Sequence, residues 1–570
     1  MDLTFALNYK FGKLNVFGYH LVNVLVHIIN GFLVYLLVFA ILKQRPELTD
    51  SYDLSISESP DFLIRELSLC AAMIFVVHPI QTQAVTYIVQ RYASMAAMFY
   101  IGSILFYICA RTLQRRPTDK ASNKLHLSGL YALSIACGML AFLSKQNTAT
   151  LPAVILLAEY LLINGTWNEW KKKLPWFVLL FICWLLFVLF VLNLFNLSGG
   201  EFGHGNLLED VSALTKETVK VSRWHYLCTQ FNVLVIYIRL LFIPLKQSLD
   251  YMYPFKTGIF DGLTPLAFMF LIAIAGFGIW SIKRRPVITF SIFFFFITLS
   301  IESSIIPIRD ALFEHRLYLP MFGFGFLVSS QLFHYLSKKR SLALVLLLSI
   351  TVYYGTATYL RNITWQDEAT LWSDVVSKNP RNHRAHYNLG LTLNERGRIE
   401  EAIQHYLQAL RIKPDYVRAH NNLGLALVRK GNIRGAMARF REALRIDPND
   451  EKTHNNLGNA LDNQGRTEEA IQHYLQALRI NPDDENAHNN LGNALDNQGR
   501  TEEAIQHYLQ ALRINPDFMD AHNNMAIALV RKGNIEGAIA RFKAALRINP
   551  DHIQAKNNLN RLLMMQQRNK

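Results

Sequence analysis

Six prolines, Pro380, Pro414, Pro448, Pro482, Pro516 and Pro550, stand 34 residues apart. A strict period of that length means one small structural unit is copied along the chain, with each copy burying its apolar face against the next. Other positions keep the same beat. A glycine recurs at Gly390, Gly424, Gly458 and Gly492 and becomes Ala526; a second recurs at Gly397, Gly431, Gly465, Gly499 and Gly533. An alanine recurs at Ala402, Ala436, Ala470, Ala504 and Ala538, and an aromatic at Tyr406, Phe440, Tyr474, Tyr508 and Phe542. Small residues where helices touch and an aromatic between layers predict two antiparallel helices per period.

This is the tetratricopeptide (TPR) pattern. It predicts five repeats, 383–416, 417–450, 451–484, 485–518 and 519–552, forming an α-solenoid. A helical half-repeat at 362–382 with Trp365 and Trp372 leads in, and a capping helix at 553–570 closes it. His386, His420, His454, His488 and His522 recur at repeat spacing, too far apart to share one metal ion, and are expected to pack. The stretch HNNLGNALDNQGRTEEAIQHYLQALRINPD occurs twice unchanged, at 454–483 and 488–517. Asn388, Asn422, Asn456, Asn490, Asn524 and Asn558 form a column on the first helices. A carboxamide both donates and accepts, so such a column suits the backbone of an extended peptide. It resembles the asparagine ladder of nucleocytoplasmic O-linked N-acetylglucosamine transferases.

Residues 1–361 are a different text, dense in Phe, Leu, Ile and Val. A bilayer core needs about 20 apolar residues per helix, and about ten segments qualify: 19–42, 62–78, 84–110, 127–143, 148–163, 174–195, 263–282, 287–306, 317–336 and 342–360. The fold class expected is therefore all-α, a polytopic membrane domain followed by a TPR solenoid. Segment 224–245 is apolar enough to span, but Arg239 sits inside it. Lys43, Arg45 and Arg65, then Arg111 to Lys124, Lys171 to Lys173, Lys283 to Arg285 and Lys338 to Arg340 form basic knots. They share one side only if 224–245 does not cross, and that side is cytoplasmic by the positive-inside rule. The segment is thus expected to be interfacial or re-entrant, and the repeats to be extracytoplasmic.

The net charge is +15, and most of the excess lies in 1–361, with 30 Lys/Arg against 19 Asp/Glu. Loops that orient helices account for it. A basic patch interleaved with aromatics is lacking, which argues against nucleic-acid binding. The five cysteines, Cys70, Cys109, Cys137, Cys183 and Cys228, lie in or near apolar segments without a CxxC pair and read as small buried hydrophobes.

Ionisable groups at a membrane boundary face a cavity or a partner. Three extracytoplasmic motifs carry them: His78-Pro79-Ile80-Gln81-Thr82-Gln83 followed by Arg91, Ser144-Lys145-Gln146-Asn147, and Glu314-His315-Arg316-Leu317-Tyr318-Leu319-Pro320. Arg91 and Arg316, with His315 and Lys145 beside them, are candidates to hold a lipid-linked phosphate, for which arginine forks are suited. Arg91 could equally pair between helices. Glu314 is a weak candidate for a catalytic carboxylate, and Glu159 reads as a solvated or capped helix end. Outer-face His, Asp and Glu show no ligand spacing, so no metal or other cofactor is assigned.

These motifs, with Leu14-Asn15-Val16-Phe17-Gly18-Tyr19-His20-Leu21-Val22-Asn23 and the repeats, occur in an order that resembles the transmembrane-and-TPR O-mannosyltransferase family and its bacterial relatives, of the glycosyltransferase-C superfamily. The resemblance implies transfer of a sugar from a polyprenyl-phosphate donor to a protein or peptide acceptor. A carboxylate base takes the hydroxyl proton and cations stabilise the departing phosphate. In that family a first membrane helix and an acidic loop precede the segment matching Thr4–Tyr9, and this sequence is expected to start after them. The family also often has Glu where Gln83 stands and an acid near Ala93. An inactive relative, a membrane-tethered repeat scaffold that binds proteins, is the alternative expectation.

Overall fold

The computed structural model describes residues 2–13, 15–45, 60–115, 121–164, 168, 170–171, 174–175, 178, 181–186, 221–303, 307–308 and 310–568. Most of the 174–195 segment, the 196–220 part of the following loop, and Arg309 lie outside the described residues. The chain forms two compact units, 1–374 and 375–570, so the division falls inside the 362–382 lead-in.

The regular elements among the described residues of the first unit are all helical. Its elements are α1 (Asp2–Gly12), α2 (Val16–Gln44), α3 (Pro60–Val77), α4 (Thr82–Thr86), α5 (Arg91–Gln114), α6 (Ala121–Ser144), α7 (Leu151–Ala158), α8 (Arg223–Phe242), α9 (Thr264–Trp280), α10 (Pro286–Leu299), α11 (Met321–Tyr335) and α12 (Arg340–Thr364). Asn15 starts α2, its side chain accepting from the Phe17 N–H. Six described helical stretches are long and apolar enough to cross a membrane, and α3 with α4 makes a seventh if the pair, bent by 49°, counts as one. The unit is a multi-pass membrane body. Segments 263–282 and 287–306 become helices of 17 and 14 residues. Segment 224–245 forms the 20-residue α8, which is also long and apolar enough to cross; its interfacial assignment rested on loop charge alone.

Between lipid-facing helices, close packing replaces the hydrophobic drive available in water. Helix α2 lies against α3 and α5, α5 against α6, and α11 against α3 and α10. Glycine makes two of these crossings close. A Cβ on Gly325 would stand 2.8 Å from the Ala71 carbonyl oxygen, and one on Gly31 would strike the Val76 side chain. The core around them includes Val34, Leu37, Phe75, Tyr100, Phe294 and Phe322, all buried.

Glu159 corrects the sequence reading. It is fully buried, with its carboxylate 2.7 Å from Arg111 Nη2 and accepting from Tyr107 Oη at 2.7 Å. It opens a π-helical turn, Glu159–Asn164. Arg45 donates to the Leu161 oxygen and Arg115 to the Ile163 oxygen. Burial is tolerated because the charge is paired and the end of the turn is capped.

In the second unit the helix pairs follow the period: His383–Glu395 with Ile399–Ile412, Val417–Arg429 with Ile433–Ile446, Glu451–Asp462 with Thr467–Ile480, Glu485–Asn497 with Thr501–Ile514, and Met519–Arg531 with Ile535–Ile548. Ile553–Arg568 follows. Gly458 is needed because a Cβ would lie 2.6 Å from the Tyr474 ring; Gly492 and Tyr508 repeat the contact at 2.7 Å. The turn glycines adopt φ of 72° to 81°, the left-handed region that lets each chain reverse between helices.

Candidate functional site

Three motifs that are distant in sequence meet in the first unit. The backbone N–H of His315 donates to Gln83 Oε1 at 2.8 Å, which ties the His78–Gln83 turn to the Glu314–Leu317 turn. Lys145, in the turn after α6, is 2.7 Å from Glu302 Oε1, in the turn after α10. The Arg316 guanidinium also acts electrostatically on the Glu302 carboxylate. Lys145 and Arg316 thus bear on one carboxylate that is not among the sequence candidates. Its advance signal in the sequence was its place as the one carboxylate within the predicted 287–306 span.

Burial opposes ionisation of Glu302, but the Lys145 ammonium and the Arg316 guanidinium outweigh it and hold the carboxyl down at about 2. His315 moves the other way. Burial, then the Lys145 charge, push its imidazole well below the ordinary value, so it is neutral at neutral pH. Arg316 donates from Nη1 to the Ala311 oxygen and from Nη2 to the Asp310 oxygen, which fixes its plane. Glu302 Oε2 and His315 Nδ1 are both buried and have no hydrogen-bond partner. Buried polar atoms without partners are costly and mark places where a ligand supplies the bond. Thr82 Oγ1, Ser303 Oγ and Asn147 Oδ1, on the same three segments and the Glu302 turn, are buried and unpartnered as well.

Arg91 is not part of this group. It is fully buried. Its Nε donates to Asn23 Oδ1 at 2.6 Å, Nη1 to Asn8 Oδ1 at 2.7 Å, and Nη2 to the Tyr19 carbonyl at 2.9 Å; its guanidinium lies 4.6 Å from the centre of the Phe5 ring. The guanidinium is thus committed to neutral acceptors from α1 and α2. That is the interhelical alternative, realised by the Tyr19-to-Asn23 motif and by the polar-aromatic stretch before it.

Glu314 is also committed. It is buried and accepts from the Ser248 N–H at 2.7 Å, Tyr251 Oη at 2.5 Å and Gln247 Nε2 at 3.1 Å. Burial and the neighbouring Glu314 charge push the Tyr251 phenol well above its ordinary value, so it stays protonated and donates. Lys246 and Met252 flank these donors with φ of 59° and 41°, a region that non-glycine residues avoid. Glu314 therefore anchors a strained loop, and both of its oxygens accept hydrogen bonds. Among the described residues, three or more His, Cys, Asp or Glu nowhere gather as a metal site.

The repeat unit carries the second candidate surface. Asn456 donates to Asn421 Oδ1 at 2.9 Å, Asn490 to Asn455 Oδ1 at 3.0 Å, and Asn524 to Asn489 Oδ1 at 3.1 Å; Asn422 donates to Tyr387 Oη. Each bond joins one repeat to the one before it. Asn388 begins the column and Asn558, in the closing helix, ends it. The sequence reading found one column where the structure shows two, because Asn421, Asn455 and Asn489 receive the bonds. A groove of about 640 Å³ is lined by Asn421, Asn422, Asn455, Asn456, Asn459 and Asn490 together with Glu451 and Lys452.

The class these features define is a multi-pass helical membrane body joined to tetratricopeptide repeats. The profile comparison agrees for the second part: family profiles described as TPR repeat match 390–431, 426–465 and 463–499, and tetratricopeptide profiles match 371–404, 485–518 and 507–540. Relatives that match both parts are named protein O-mannosyl-transferases. One from Caenorhabditis elegans is 24% identical over 434 residues, covering 72% of this chain and 53% of its own length. Tmtc3 of Drosophila melanogaster is 26% identical over 463 residues, covering 72% and 48%. The Mus musculus TMTC3 is 25% identical, covering 72% and 44%. The chain thus spans about half the length of the curated relatives it matches. Among solved structures, YrrB, titled a TPR protein with an unusual peptide-binding site, covers 33% of this chain and 98% of its own at 24% identity, with a TM-score of 0.28.

Proposed function

We propose that this protein is a membrane glycosyltransferase that moves a sugar from a polyprenyl-phosphate donor to a protein or peptide acceptor bound by the repeats. The names of its relatives support the reaction class. The observation that carries it here is Glu302, a half-buried carboxylate with one buried, unpartnered oxygen, paired to Lys145 and within the field of Arg316.

The chemistry follows from that arrangement. A desolvated phosphodiester needs cationic donors, and the Lys145 side chain is 20% exposed, so its ammonium is reachable. An anion arriving at Lys145 and Arg316 competes with Glu302 for their charge. The carboxyl value then rises toward the range useful for a general base. Glu302 Oε2 takes the acceptor hydroxyl proton, the acceptor oxygen bonds to the anomeric carbon, and the bond to the donor phosphate breaks. Its electron pair leaves with the phosphate, next to the cations, and configuration is inverted. His315, neutral, offers Nδ1 to a donor or acceptor hydroxyl.

On the acceptor side, the paired asparagine columns present carboxamides at repeat spacing, which suits binding to peptide backbone regardless of side chain. The clustering of basic residues in the loops supports an extracytoplasmic side for the repeats and for the Glu302 cluster. A reporter fused after Pro380 should read outside the cytosol, and one fused after Arg285 inside.

The test is transfer of labelled sugar from a short polyprenyl-phosphate donor to peptide by the full chain in liposomes. Glu302→Gln should abolish transfer while donor binding stays equal to wild type or tightens, since the competing anion is gone. Peptide binding without transfer in wild type would instead mark a tethered scaffold.

A further inference from the structure

Three of the five repeats carry a pair of imidazoles in direct contact. His386 Nδ1 lies 3.1 Å from His405 Nδ1; His454 and His473, and likewise His488 and His507, meet through the same atoms at 3.0 Å. In each pair the first histidine also bonds through Nε2 to the carbonyl oxygen of a repeat proline, Pro380, Pro448 or Pro482, at 3.1 Å. A carbonyl only accepts, so Nε2 carries the proton and Nδ1 presents a lone pair. The second histidine must then donate from its own Nδ1. The outer imidazoles are half-buried and reachable from solvent.

Two imidazole nitrogens bound to one tetrahedral zinc-class cation at about 2.0–2.1 Å stand about 3.3 Å apart. The observed hydrogen-bonded separations fall a few tenths of an ångström short of this, a gap that a small ring shift closes. A histidine whose other ring nitrogen donates to a backbone carbonyl is also the usual orientation of a metal-ligating imidazole. Repeats two and five form an internal contrast. They keep the first histidine, His420 and His522, but Arg439 and Arg541 replace the second. There His420 Nδ1 and His522 Nδ1 are buried with no partner.

We propose that the three histidine pairs of repeats one, three and four each bind a divalent zinc-class cation through two Nδ1 atoms, with solvent completing its coordination. The balance is simple: the second histidine, already neutral, moves its proton from Nδ1 to Nε2, which frees its Nδ1 lone pair, and both rings turn so that the two lone pairs converge on a cation beside the line between the nitrogens. Glu401, Glu469 and Glu503 sit one turn before His405, His473 and His507 on the same helices, and each is held by an arginine, Arg398, Arg466 or Arg500. Their charge favours a cation nearby. Repeats two and five have Gly435 and Gly537 at that place.

The test uses the full chain in detergent, stripped with chelator and titrated with zinc chloride by calorimetry at neutral pH. Wild type should bind three zinc ions. His473→Arg should bind two, and His405→Arg with His473→Arg and His507→Arg should bind none. The arginine is what repeats two and five already carry, so the fold tolerates it; the corresponding glutamine triple variant, checked by circular dichroism, serves as a second form. Failure of wild type to bind zinc, or equal binding by wild type and a folded triple variant, overturns the proposal.

Discussion

Lys145 and Glu302 form an ion pair of 2.7 Å that fastens the turn after α6 to the turn after α10, with side chains only 20% and 12% exposed. The pair is more than a clasp, because the Arg316 guanidinium also acts electrostatically on the same carboxylate. Removing the anion leaves two cations facing each other in a poorly solvated place.

Glu302→Gln is therefore expected to destabilise the membrane unit by about 3 kcal/mol, the usual order for breaking a buried pair from one side. The pH dependence has a definite sign. The folded carboxyl is depressed to about 2, so its contribution is complete above the unfolded value of about 4.3 and is lost as pH falls through the folded value. Thermal unfolding in detergent should show that loss between about pH 4.3 and 2 in wild type and not in Glu302→Gln.

Arg91→Lys should loosen the amino-terminal helix. An ammonium offers three donors without the planar fork, and cannot reach Asn23, Asn8 and the Tyr19 carbonyl together. The expected readout is faster proteolysis within α1 and a lowered melting temperature.

Gly458→Ala should cost about 1–3 kcal/mol, because its Cβ would be forced within 2.6 Å of the Tyr474 ring. Gly129→Ala, where a Cβ meets nothing within 4 Å, should be neutral or stabilising by up to about 1 kcal/mol. Comparing the two melting curves checks this.

The repeat unit should weaken in mild acid. Burial lowers His386, His405, His420, His473, His507 and His522 below their ordinary value; nearby cations, including the partner imidazole in each pair, add to this at several of them. Groups that prefer to be neutral when folded stabilise above the unfolded value of about 6.5, and that contribution falls away as pH drops through the folded values. Unfolding of the repeats followed from pH 7.5 to pH 5 should show decreasing stability. His473→Arg should weaken the dependence.

The repeats were legible because their constraints are local and copied: the glycine that admits Tyr474 is visible 16 residues away in the text, and again in each neighbouring repeat. The membrane site was half legible. Lys145, His315 and Arg316 stood out as charges at helix mouths, and the structure brings them together. Glu302 did not stand out, because its meaning comes from which turns pack against it. Arg91 and Glu314 carried the right chemistry in the right place, yet Asn8, Asn23 and the Ser248 backbone occupy their polar atoms. Side-chain type alone does not show which bonds are already made. Likewise, the histidine column showed its period in the sequence, but the contact between His454 and His473 depends on how two helices of one repeat face each other.

Binding of a short-chain polyprenyl-phosphate sugar to the full chain tests the donor site most directly. A hydrogen bond to a charged group contributes about 1.5–3 kcal/mol. Lys145→Ala and Arg316→Lys should each weaken binding about tenfold or more, while Glu159→Gln, distant from the cluster in its own ion pair with Arg111, should leave it unchanged. Wild-type affinity in folded Lys145→Ala and Arg316→Lys would contradict the account and leave the cluster as an interhelical clasp.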